Sequence, residues 1–317
     1  MALTLADAAK LSNDVVLQGL IENTISADPV LWNLLPWEQV NGNAVKYNRE
    51  LALPTVAAKA VGDVWTEDAI TITQITTALA IYGGDSDVDN FMALTRSNIQ
   101  DPMAIAALAK MKALRYKLSD QLVYGSGAAN EMSGFQTLVP NAGQRVHQGA
   151  AGVGAALSLA NLDLLIDTIR PGKPDMLMMN RNVRRRLSQY ARGNGSPVIF
   201  PIERFGAMVM HYGDIPIGVN DFMPQTETIT GTTFTAKTGG VTSSIIAVFF
   251  GQGGLDNPEG SAMLFGGPTP IQVEEVAGPL ETKDANRIRV KSYCALANFN
   301  ALHIAVLDGI TDVAVVA

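Results

Sequence analysis

The chain has 317 residues, with 23 Lys and Arg against 30 Asp and Glu, for a formal charge of −7 at neutral pH. That balance argues against a protein that grips nucleic acid over its whole surface, since neutralising phosphates takes an accumulation of basic side chains. At 47% hydrophobic and 17% charged residues the composition is globular, not disordered, and long enough for a substantial core.

No apolar run approaches the roughly 20 residues needed to cross a bilayer. The longest candidate is Ile245 to Phe250, and Met1 to Lys10 lacks the cationic start and apolar stretch of a secretory signal, so a soluble protein is expected. The single Cys294 excludes an intrachain disulfide and a cysteine-based zinc cluster.

Residues 1 to about 40 carry a weak amphipathic helix through Val15, Val16, Leu20 and Ile21, then an apolar-dense stretch around Trp32, Leu34, Leu35, Pro36 and Trp37 that suits a docking arm. Two strand-like runs follow, 45–51 and 69–82, joined by an Ala- and Pro-containing tip at 53–62. A two-stranded hairpin this long has no core of its own, so its apolar face must be buried against something else, and a neighbouring copy of the chain is the simplest candidate. Gly83-Gly84-Asp85 is expected to end the second strand, with a short helix from Asp89 to Thr95.

Asp101-Pro102 is a strong helix start, and Ile105, Leu108, Met111, Leu114, Leu118 and Leu122 keep three- and four-residue steps up to Gly125. At about 1.5 Å per residue this helix is roughly 35 Å long. Residues 126–157, rich in Gly, Ala and Ser, read as loop. A second helix opens at Ser158 or Asn161 and ends at Pro171-Gly172; a buried strand at 175–180 leads to a third helix, Asn182 to Ala191. Strands then dominate: Ala207 to His211, Ile215 to Val219, Ile245 to Phe250, Ala262 to Phe265, Ile271 to Val276, Arg287 to Ala297 and Ile304 to Leu307. Thr226 to Ser244 is dense in Thr and Gly and reads as a surface loop or hairpin. The class is α+β.

The residues that could carry chemistry are scattered. His147, His211 and His303 lack metal-binding spacing, and Cys294, between Tyr293 and Ala295 in a strand, has no local base. Gly251-Gln252-Gly253-Gly254 lacks the downstream glycine and helix of a dinucleotide site, and Glu274, Glu275, Glu281 and Asp284 read as solvated charges around a strand pair. No catalytic, cofactor-binding or metal residues are therefore expected. The one dense basic feature is Arg181, Arg184, Arg185, Arg186 and Arg192, read first as a solvated helix face and next as a contact with a neighbouring subunit or packaged nucleic acid.

The order of arm, long hairpin, long helix, central α/β region and closing β region resembles the major capsid proteins of tailed bacteriophages, whose Hong Kong 97-type fold is shared with encapsulins. Short segments carry the likeness: Leu122 to Gly127 followed by Met132-Ser133-Gly134-Phe135; Asp175 to Arg181, with Arg181 where the family usually has Pro; Gly213 to Pro224; and Phe249-Phe250-Gly251. The resemblance implies an N-terminal arm at 1–41 and an extended loop at 42–84. It implies a peripheral domain at 85–157 with a spine helix at 101–124, and an axial domain at 158–254. The peripheral β region at 255–300 and a C-terminal strand at 301–317, joining the axial domain, complete the set.

It further implies a structural protein of the virion, assembled in the host cytoplasm, that packs with itself as pentamers and hexamers into an icosahedral head around double-stranded DNA. Scaffolding and portal proteins are the other expected partners, with no membrane and no cofactor. The residues expected to touch a neighbouring subunit are Tyr47, Arg49, Lys59, Trp65, Ile72, Arg184, Arg185 and Arg186. Some relatives crosslink a loop Lys to a neighbour's Asn; Lys59 is the lysine near the tip, but no local signal marks its partner. An encapsulin-type compartment is the alternative, and an enzyme of unknown activity the remote one.

Overall fold

A computed structural model describes residues 29–65, 67–96, 102–128, 130–139, 143–150, 152–194, 199–204, 207–251, 259–276 and 283–316. The expected helix around Val15 to Ile21, the Asp101 cap, Gln252 to Gly254 and Glu281 lie outside them. The class is α+β, and no helix among the described residues is long and apolar enough to cross a membrane.

Two sheets organise the chain. The larger has seven strands in the order β5 (Arg145–His147), β16 (Ile304–Thr311), β12 (Thr242–Val248), β6 (Met176–Met179), β9 (Ile215–Val219), β8 (Ala207–Tyr212) and β7 (Ile199–Arg204). Its central strands β16, β12 and β6 are buried at almost every position because both faces are covered. Leu177, Met179, Ile245, Ala247, Ala305 and Leu307 face a core shared with Leu162 and Leu165 of α5 (Leu159–Thr168) and Val183 and Leu187 of α6 (Arg181–Asn194). Met176, Met178, Ile246, Val248, Ile304 and Val306 face a second core that runs through to Leu118 and Leu122 of α3 (Pro102–Tyr124).

The five-stranded sheet is built on β15 (Ala285–Asn298), which pairs with β4 (Ala80–Asp89), β13 (Ser261–Gly266) and β14 (Gln272–Val276); β1 (Trp37–Val40) runs parallel to β13. Helix α3 packs on β4 and β15. Leu114, Leu118 and Leu122 are buried there, whereas Leu108 and Met111, on the same helical spacing, are exposed. Before α3 lie α1 (Pro29–Leu34) and α2 (Asn90–Arg96), and after it the single-turn α4 (Phe135–Leu138).

Several expectations are corrected. The strand expected to run unbroken over 69–82 is two strands, β3 (Thr71–Ala78) and β4, parted at Leu79. Gly83-Gly84-Asp85 does not end β4 but lies inside it. A Cβ on Gly83 would come 2.6 Å from the Val290 carbonyl oxygen, so glycine here serves close approach of two backbones. The segment 126–157, read as loop and short turns, contributes β5 to the larger sheet, whereas Thr226 to Ser244, read as a surface loop or hairpin, does contain a hairpin, β10 (Thr228–Thr230) and β11 (Thr233–Ala236), before β12. Glu274 and Asp284 are not simply solvated: Glu274 pairs with Lys291, and Asp284 accepts a hydrogen bond from Asn90.

Cys294 is fully buried in β15, and burial pushes its thiol up to about 11. The thiolate is the reactive form. Native protein at pH 8 is therefore expected to leave Cys294 unlabelled by a thiol reagent, with stoichiometric labelling after denaturation; comparable labelling of the native chain would contradict this burial.

Candidate assembly surface

The hairpin pairs β2 (Ala44–Ala52) with β3, setting Val45 opposite Thr77, Tyr47 opposite Ile75, and Glu50 opposite Ile72. Alternate side chains of a ribbon face opposite ways, and one face of its base is fastened to the chain's own body. The Tyr47 hydroxyl donates to the Asn298 carbonyl at 2.9 Å and its ring meets Phe299 edge-on, with centroids 5.0 Å apart. Arg49 donates Nε to the Phe299 carbonyl at 2.9 Å and Nη2 to that of Asn298. Val45, Tyr47 and Leu79 close over a small core of Val40, Ala262, Leu264, Ala297 and Phe299.

Beyond this base the ribbon is uncovered. Leu53, Val56, Val61, Val64, Trp65, Ile70 and Ile72 are all exposed, Val56 to 96% and Trp65 to 76%. The tip is nevertheless shaped: Asp68 accepts from the Thr55 N–H at 2.9 Å and the Thr55 hydroxyl at 2.8 Å, and Asp63 accepts from the Ala60 N–H at 2.8 Å beside Gly62, whose φ is +96°. The Thr55 N–H holds the Asp68 carboxyl below the usual range. Lys59 is exposed within this tip.

The eight residues expected at a subunit contact thus fall into three groups. Tyr47 and Arg49 are engaged within the chain. Lys59, Trp65 and Ile72 stand outward on the ribbon. The arginines lie on α6, at the other sheet, where Arg185 and Arg186 both pair with Asp312, at 2.8 and 2.6 Å, and Arg181 pairs with Asp221 at 2.8 Å; Arg184 is exposed. The acidic partner of this basic run is in the same chain, and Arg186, with Arg185, holds the Asp312 carboxyl below its usual range.

The histidines are not brought together. His211 is buried with Nδ1 3.0 Å from the Val209 carbonyl oxygen, His303 packs against the Phe249 ring with centroids 4.7 Å apart, and His147 ends β5. Sequence reasoning missed a buried polar network joining Tyr124, Gln136, Arg145, Glu227, Ser244 and Asp308. No local pattern marks these residues, which come from separate parts of the chain.

No protein-family model and no curated protein sequence matches the chain. Solved structures do. The holo-SrpI encapsulin complex of Synechococcus elongatus PCC 7942 superposes with a TM-score of 0.71 at 17% identity, over 98% of this chain and 97% of that one. The capsid of a native GTA particle gives 0.61 at 15% identity over 98% and 100%, and the cyanophage A-1(L) capsid 0.62 at 14% over 95% and 98%. The chain has the Hong Kong 97-type capsid fold.

Within this capsid fold the segments that carried the resemblance have definite positions. Gly125 and Gly134 are pressed together where α3 ends: the Gly134 N–H donates to the Gly125 carbonyl at 2.8 Å, and a Cβ on Gly125 would lie 2.2 Å from the Met132 carbonyl oxygen. Asn180 caps α6, its Oδ1 accepting from the Val183 N–H at 2.7 Å, so Arg181 takes the first helical position without loss of the cap. Gly213, at φ +61°, makes the turn between β8 and β9.

Proposed function

We propose that the chain is the subunit of a self-assembling protein shell and, more specifically, the major capsid protein of a tailed bacteriophage, closing around double-stranded DNA without reading its sequence. The observation that carries this reading is an apolar ribbon tip left uncovered by its own body in a fold shared, over nearly the whole length, with shell proteins. Trp side chains bury about 150–250 Å². Trp65 is 76% exposed, so at about 25 cal/mol per Å² covering that exposed part on a neighbour yields roughly 3–5 kcal/mol before the cost of association.

Closed symmetry repeats such a contact around every ring of subunits. In this reading the ribbon is the extended loop, α3 the spine helix of a peripheral domain built on the five-stranded sheet, and the seven-stranded sheet the axial domain. The other partners are scaffolding and portal proteins and the packaged DNA, and the location is the virion, after assembly in the host cytoplasm.

A second reading, an encapsulin compartment, is favoured by one observation: the encapsulin superposes at 0.71, against 0.61 and 0.62 for the two capsids. Electron microscopy of the purified chain is expected to show closed icosahedral shells, and a compact monomer at every concentration and salt would overturn both readings. Particles isolated from the native source separate them: nuclease-protected double-stranded DNA supports the phage head, and an enclosed protein cargo without DNA supports the compartment.

A further inference from the structure

Where the C-terminal end of α3 meets the seven-stranded sheet, a polar network is sealed from solvent. Glu227, just before β10, is fully buried. Its Oε1 accepts from the hydroxyl of Tyr124, the last residue of α3, and from the Ser244 hydroxyl of β12 at 3.0 Å; its buried Oε2 has no hydrogen-bond partner among the described residues. Gln136 of α4 donates to Ser244 Oγ at 2.9 Å and to Asp308 Oδ1 of β16 at 3.4 Å. Arg145 of β5 completes the network, donating to Gln136 Oε1 at 3.0 Å and pairing with Asp308.

The charged groups around Glu227 can be named from each element packed on it. From β16 comes Asp308, from β5 Arg145 and, facing Asp308, His147, and from α3 Tyr124 and Asp120. After β11 comes Lys237, which pairs with Asp120 and lies 5.0 Å from the centre of the Tyr124 ring. The guanidinium of this network sits on Asp308. Its two buried carboxyls therefore share a single buried cation, and among the described residues no basic side chain bonds Glu227 directly. A buried carboxylate without a cation is strongly disfavoured. Burial without a bonded cation outweighs the two O–H donors on Oε1, which favour the anion, and leaves the buried Oε2 as the oxygen that carries the proton of the neutral acid.

We propose that the proton on Glu227 is a latch fastening the end of α3 to the seven-stranded sheet. Without it the carboxylate is driven towards water, which it reaches only by moving out with the β10–β11 hairpin. That movement removes the acceptor of Tyr124 and the Phe234 ring, which packs on Tyr124 with centroids 5.5 Å apart. Burial pushes the Glu227 carboxyl up to about 8, against the pull of the Tyr124 hydroxyl. In an open or unfolded chain it titrates in the ordinary glutamate range. Between those two values the closed form keeps a proton the open form has lost, so the latch is at full strength below the window and weakens as pH rises through it.

The inference does not rest on shell formation, and its test reads the subunit itself. Amide hydrogen exchange of residues 118–124 and 228–236 in the full chain, corrected for intrinsic rate, is expected to lose protection by up to about tenfold per pH unit from about pH 5 to about pH 8, then level off. Glu227→Gln, which keeps the shape and an acceptor oxygen, is expected to flatten that profile and to remove one protonated carboxyl's share of the infrared carbonyl signal, any remainder belonging to Asp308. Tyr124→Phe removes a donor that favours the anion, so its levelling point is expected at higher pH. The same slope in Glu227→Gln as in the unmodified chain, no slope in either, or a protonated-carboxyl signal of unchanged intensity in Glu227→Gln overturns the latch. Should Glu227→Gln fail to fold, an unchanged levelling point in Tyr124→Phe overturns it.

Discussion

Replacing Val61 and Trp65 together by serine is expected to abolish particle formation while leaving the subunit's stability within about 0.5 kcal/mol of the unmodified chain, the usual range for exposed sites. Both side chains project from the tip, beyond the base where Tyr47 and Arg49 grip Asn298 and Phe299, so the folded body loses nothing it was using. The interface proposed above would lose its largest apolar anchor. A loss of about 2 kcal/mol at one contact is roughly a thirtyfold change in its dissociation constant. Sedimentation velocity and urea denaturation of the two proteins decide the matter. Intact particles from the double variant would remove the tip from the assembly contact, and a collapse of the monomer's own transition would show that the tip is covered within the subunit.

Arg145→Met is the substitution with the greatest expected cost to the fold. Arg145 and Asp308 are sealed together, their side chains 4% and 0% exposed, and truncating one partner of a buried pair costs about 3–5 kcal/mol because the other charge is left alone. Burial raises the Asp308 carboxyl while Arg145, the next influence, lowers it. Without Arg145 only burial and its neighbours act, so Asp308 takes up a proton more readily. The loss is therefore expected to be smaller at pH 5 than at pH 8. Urea denaturation at the two pH values measures it, and a cost under about 1 kcal/mol at pH 8 would mean that Asp308 is already neutral in the native protein.

Long periodic elements were legible from the sequence, and short polar ones were not. Helix α3 followed from Leu114, Leu118 and Leu122 on one face and the Gly125 stop, and the late strands from their β-branched runs. β5 was missed because Arg145-Val146-His147 is three residues long and mostly polar; it pairs at a sheet edge and carries Arg145 inwards to Asp308. Glu227 was missed for a related reason. A single acidic residue in a Thr- and Gly-rich stretch looks like surface, and only the three-dimensional arrangement sets it under Tyr124 and Ser244. The ribbon was recognised, but its division into a fastened base and an uncovered tip depends on Asn298 and Phe299, some 250 residues away.

That distance sets the order in which a newly made chain becomes sticky and becomes whole. Strand β15 supplies the middle of the five-stranded sheet and, at its far end, the carbonyl that receives Tyr47. During synthesis the tip therefore leaves the ribosome long before the platform that aims it, and contacts between residues so far apart in sequence form late and slowly. On the proposed reading, a ribosome-bound chain carries its docking tip without a mounting, and productive docking waits until translation has passed Phe299.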